Sequence, residues 1–164
     1  MIRRLFTAGL LVLAAAFALM ISGSARAQTA RAQIDPSQIS DPVFRDYKGI
    51  AIGMTAGDVH QKLGAPKEGG VEQDFYTLSD KEAVQVFYDR TQKVKAICIS
   101  YLGVSGAPDS RSVLGADVTP AADGSVYKLV RYPKAGYSVS YNRTGGDDPL
   151  VTVTIQKITA TAPQ

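Results

Sequence analysis

Apolar residues along this chain fall into three kinds of run. From Leu5 to Ile21 they are nearly continuous, behind a short basic head at Arg3 and Arg4. Near residues 54–66 they recur at helical spacing, with Ala56, Val59 and Leu63 on one face. Thr55 stands as the N-cap of that helix, Asp58 follows as a near capping box, and Gly64 and Pro66 stop it. Beyond residue 74 the pattern alternates at period two. Asp74–Leu78, Ala83–Asp89 and Val94–Leu102 predict strands, joined by Ser79-Asp80-Lys81 and Arg90-Thr91-Gln92, both of hairpin length and turn chemistry. Asp41-Pro42 predicts one more short helix, with Val43, Phe44 and Tyr47 on its apolar side and Gly49 ending it in the left-handed conformation. Residues 28–40 are polar and aperiodic, as in a flexible leader.

The second half of the chain resembles the first. Leu63-Gly64-Ala65 matches Leu114-Gly115-Ala116, and Phe75-Tyr76-Thr77-Leu78 matches Val126-Tyr127-Lys128-Leu129, both at an offset of 51. Val84–Thr91 matches Tyr137–Thr144 at an offset of 53, and Val94 matches Val151 at 57. The offset changes at predicted turns, where insertions are tolerated. A duplicated helix-plus-three-strand unit explains this pattern; chance likeness between β-rich stretches is the alternative.

Period-two alternation assigns faces. Tyr76, Leu78, Val84, Val86, Tyr88, Val94, Ala96 and Cys98 should pack on the helices, as should Tyr127, Leu129, Tyr137, Val139, Tyr141, Val151, Val153 and Ile155. Cys98 then takes the place of Ile155 as a small buried hydrophobe, the alternative being a reactive thiol. The opposite face of the second half is polar: Ser138, Ser140, Asn142, Thr152, Thr154 and Gln156. In the first half it carries Phe75, Phe87, Ile97, Ile99 and Tyr101, a candidate partner-binding surface. Cover from within, by the 103–108 linker or the leader, is the alternative.

The first run has the layout of a secretory signal peptide, with Ala25-Arg26-Ala27 as the cleavage site. An uncleaved anchor is the rival, although the run falls slightly short of the ~20 apolar residues of a membrane span. No cysteine follows it, so no lipid anchor is expected, and a periplasmic or secreted protein is. The full chain of 164 residues carries 18 Lys and Arg against 15 Asp and Glu, and cleavage would remove Arg3, Arg4 and Arg26. A neutral mature protein gives no electrostatic case for nucleic acid. The 45% hydrophobic and 20% charged residues suit a globular protein and argue against intrinsic disorder.

Catalytic patterns are weak. One Cys and one His exclude a disulfide framework, a cysteine zinc site and a two-histidine metal site. His60 lies beside the apolar face of its helix as a boundary side chain. Ser125 and Lys128 match S-x-x-K, but in a predicted strand and without companion motifs. Asp147 and Asp148 lack the spacing of a calcium loop and fit a solvated turn. Asn142-Arg143-Thr144 has the glycosylation pattern, a false lead if the host is bacterial. No catalytic, cofactor-binding or metal-binding residue is expected.

Residues 50–66, with Gly53-Met54-Thr55, Val59 and Leu63-Gly64-Ala65-Pro66, resemble the opening motif of the SmpA/OmlA family, the BamE-like outer-membrane assembly factors. The duplicated arrangement is similar to the β-lactamase inhibitor protein fold. These resemblances imply a non-enzymatic periplasmic module that binds proteins. The expected architecture is α+β: residues 1–27 a signal peptide, 28–40 a leader, and 41–160 one domain of two repeats (about 41–102 and 109–159). Six to eight strands should carry short helices on one face. An unidentified envelope protein is the expected partner. A secreted hydrolase inhibitor is the alternative, and a small hydrolase using Ser125 or His60 the weakest.

Overall fold

A computed structural model describes residues 41–159; the expected signal peptide and leader lie outside the described residues. Helix α1 (Ala56–Leu63) starts where the capping pattern places it. The Thr55 hydroxyl accepts the Asp58 amide at 3.2 Å, and the Asp58 carboxylate accepts the Thr55 amide at 3.2 Å. Gly64, at φ 81°, closes the helix by donating its N–H to the His60 carbonyl at 2.9 Å. A two-turn helix has little stability of its own, so the cap counts. Thr55→Ala is expected to lower stability by about 1 kcal/mol, read from a denaturant titration.

The helix expected after Asp41 does not form. Tyr47 and Ile50 instead exchange both backbone hydrogen bonds, at 2.9 and 2.8 Å, across a two-residue turn. Lys48 (φ 49°) and Gly49 (φ 77°) supply the left-handed pair that this turn requires. So short a helix would leave most of its backbone groups unpaired. The turn instead buries both Tyr47 and Ile50.

The strands are β1 (Glu68–Gly69), β2 (Gln73–Ser79), β3 (Glu82–Tyr88), β4 (Val94–Leu102), β5 (Val126–Tyr132), β6 (Tyr137–Arg143) and β7 (Leu150–Lys157). Helix α2 (Ser110–Leu114) stands between β4 and β5, capped by Asp109, whose side chain accepts the Ser112 amide at 2.7 Å. All seven strands form one antiparallel sheet in the order β1-β2-β3-β4-β7-β6-β5. The fold is thus α+β, dominated by sheet. Val59 of α1 and Val113 and Leu114 of α2 are buried in one core with a single face of that sheet.

Two face assignments need correction. In the β3–β4 ladder Phe87 faces Ala96, but Tyr88 faces Val94, so Lys95 is an unpaired bulge residue. One extra residue reverses the parity of all that follows it. Ile97, Ile99 and Tyr101 therefore join Val84 and Val86 in the core, and Ala96 and Cys98 turn to the other face. The second correction concerns β5. The 51-residue offset places Tyr127 and Leu129 inward. In the ladder Tyr132 faces Tyr137 and Val130 faces Val139, so those residues are buried and Tyr127 and Leu129 point out.

Candidate functional site

The sheet face opposite the helices is open among the described residues. At one flank stand Phe75 and Phe87, both half-buried. The middle strands contribute small side chains: Ala96, Cys98 and Ser100 from β4, Thr152 and Thr154 from β7. Ser138 and Ser140 of β6 continue the strip, opposite Gln156 and Thr154. Tyr127 and Leu129 of β5 rise at the far flank. From β3 to β5 is four strand steps, about 19 Å. Small residues between large ones make a shallow trough with a hydroxyl-rich floor and apolar rims.

Of the five predicted surface residues, only Phe75 and Phe87 lie on this face. Ile97 and Ile99 are fully buried and Tyr101 nearly so. The apolar second face expected of the first half is therefore much smaller, because the bulge moves three of its members into the core. Cys98 is half-buried on the open face, where the Thr154 hydroxyl lies 3.7 Å from its sulfur. It is therefore not the small buried hydrophobe expected as the counterpart of Ile155, which is fully buried.

The helix-covered side holds a polar cluster that the sequence reading missed. Asp74 is 2% exposed, on β2 opposite Val86. Its Oδ2 accepts the Tyr88 hydroxyl at 2.6 Å and lies 2.7 Å from His60 Nε2 and 3.5 Å from the Tyr76 hydroxyl. Gly69 of β1 lies against the other oxygen: a Cβ there would sit 3.2 Å from Asp74 Oδ1 and 3.0 Å from Pro66 Cγ. Burial, reinforced by the Asp74 charge, pushes the Tyr76 hydroxyl up to about 12. Burial and then the hydrogen bond to Asp74 hold the Tyr88 hydroxyl protonated still further up. Asp74 shares the parity of Tyr76 and Leu78, so alternation alone marked it as inward-facing.

A carboxylate against a histidine ring is the orienting half of an acid–base device. Its other half is not assembled from the predicted residues. His60 is held to β2, whereas Ser125 enters β5, five strand steps or about 24 Å across the sheet. The Ser125 amide donates to Asp123 in a tight turn, and Lys128 is half-buried in β5. Asp147 and Asp148 are exposed in the β6–β7 loop. The Asp74 cluster instead ties α1 to β2 and β3. A comparable anchor fixes the start of the domain: the Tyr47 hydroxyl donates to Glu82 at 2.5 Å, and Lys48 lies 3.5 Å from the same carboxylate. No helix among the described residues is long and apolar enough to cross a membrane.

No protein-family model matches the chain, and no curated protein matches it. Among solved structures, the chain is similar to a DUF4309 family protein, YjgB, from Bacillus subtilis. The TM-score is 0.47 and the identity 18%, over 68% of this chain and 84% of that one.

Proposed function

We propose that this is an exported, non-enzymatic module that binds a partner protein of the cell envelope through the open face of its sheet. One observation carries the reading: a seven-stranded sheet with helices on one side only presents a small-residue trough between Phe75 and Phe87 on one rim and Tyr127 and Leu129 on the other. Aromatic rims supply apolar contact at low entropic cost, and the hydroxyl-lined floor offers hydrogen bonds to a peptide backbone. The basic head, apolar run and small-x-small site at the N-terminus support export. The element order supports two tandem units, a short helix followed by four strands (β1–β4) in the first and by three (β5–β7) in the second, with β4 and β7 pairing at their junction. The capped Gly53–Pro66 segment supports the BamE-like resemblance.

The test is crosslinking capture from envelope extract with the parent and a Phe75→Ser/Phe87→Ser variant. The captured protein, purified separately, should bind the parent with defined stoichiometry and bind the variant at least tenfold more weakly, at unchanged secondary structure. Equal binding by both would remove the trough as the site.

A further inference from the structure

Strand β5 ends the sheet: β6 pairs with one side of it, and no described strand pairs with the other. Edge strands offer unpaired N–H and C=O groups, and proteins blunt them with shortness, bulges or proline. The opposite edge obeys, since β1 is two residues long. β5 does not. It runs for seven residues in unbroken register with β6, and its first proline, Pro133, lies beyond its end. Its outer face carries Tyr127 (67% exposed), Leu129 (43% exposed) and an exposed Arg131.

This strand is complementary to itself. Two copies paired antiparallel, edge to edge, are related by a two-fold axis perpendicular to the sheet. Such an axis keeps every side chain on its own face, and opposed residues share a face, so the residue on the axis opposes its own copy. Pairing all seven residues puts Leu129 on the axis. Tyr127 then opposes Arg131 of the second copy, twice over, with the guanidinium against the ring face. Val126 opposes Tyr132, and Lys128 opposes Val130, so no like charges stand directly opposite, and the two copies of Lys128 lie diagonally across the axis. An axis one residue earlier would set Lys128 against itself. We propose that the chain forms a two-fold dimer by antiparallel pairing of β5 with β5 of a second copy, joining two sheets into one. This inference does not depend on the partner-binding reading, whose test leaves β5 unchanged.

Sedimentation over a concentration series tests it, on protein purified as its host processes it. The parent should dimerise with concentration. Leu129→Lys and Leu129→Glu should each be monomeric with the parent's secondary structure, and their equimolar mixture should regain the dimer, because the two introduced charges then oppose each other. In a Cys98→Ser background, Leu129→Cys should form a disulfide-linked dimer on oxidation and Tyr127→Cys should not, its own copy lying beyond bonding reach. A parent that stays monomeric overturns the proposal, including one that instead takes a strand from another protein at this edge. So does association of the charged variants alone, or equal crosslinking at positions 127 and 129.

Discussion

Replacing Asp74 with alanine is expected to lower stability by about 3 kcal/mol, a large loss from one side chain on a two-turn anchor. The carboxylate is buried and takes the Tyr88 hydroxyl at 2.6 Å, with His60 Nε2 at 2.7 Å. Removing it costs a charge-assisted hydrogen bond, worth about 1.5–3 kcal/mol, and strands the Tyr88 hydroxyl in the core with about the same penalty of desolvation per orphaned group. Tyr88→Phe removes one donor but leaves the carboxylate its other partners, so about 1–2 kcal/mol is expected. His60→Ala should cost less, because the ring is half in water and its loss opens the carboxylate to solvent. Urea titrations of the three variants, at unchanged m, should order them in that sequence. An alanine variant within about 0.5 kcal/mol of the parent would show that the cluster does not hold α1 to the sheet.

The cluster was half legible in the sequence. Position 74 shares the parity of Tyr76, a signal that the face assignment left unused, and helical spacing placed His60 beside the apolar face of α1. What joins them is the crossing of α1 over β2, which no periodicity states. The capping box, by contrast, was wholly legible, because Thr55 and Asp58 are three residues apart and their hydrogen bonds close within one turn. Strands β2 to β4 were legible for the same reason, since each hairpin is local; the two-residue β1 was not, and the seven strands fall within the six to eight expected. On the first half, the open face was legible only where the alternation ran undisturbed. Phe75 and Phe87 precede the bulge and were placed correctly; Ile97, Ile99 and Tyr101 follow it and were inverted. Lys95 gives no warning as a bulge residue, since a lysine between Val94 and Ala96 fits regular alternation equally well. A hint lay in size: regular parity would have buried Ala96 and Cys98 and exposed two isoleucines and a tyrosine. Burying the larger side chains gains more free energy, at about 25 cal/mol for each Å² of apolar surface, and a single bulge achieves it.

That argument gives the second large effect. Ile99→Ala is expected to cost about 3–4 kcal/mol, and Cys98→Ala less than about 1 kcal/mol, although the residues are neighbours. Ile99 is fully buried, facing Val84 on one side and Val153 on the other, so truncation leaves a cavity walled by rigid strands that cannot collapse into it. Cys98 stands on the open face, half in solvent, with one weak hydroxyl contact to lose. The contrast is a direct reading of strand parity, since without the bulge the two residues exchange sides and the two costs exchange with them. Equilibrium unfolding of both variants measures it. The same parity decides which side chains serve a partner: Phe87 lies before the bulge on the open face, so Phe87→Ser should weaken partner binding while leaving the core intact, whereas Ile99→Ser should unfold the domain before any partner is tested. Equal costs at positions 98 and 99, or the reverse order, would return Ile97, Ile99 and Tyr101 to the surface and restore the wide apolar face that regular alternation predicts.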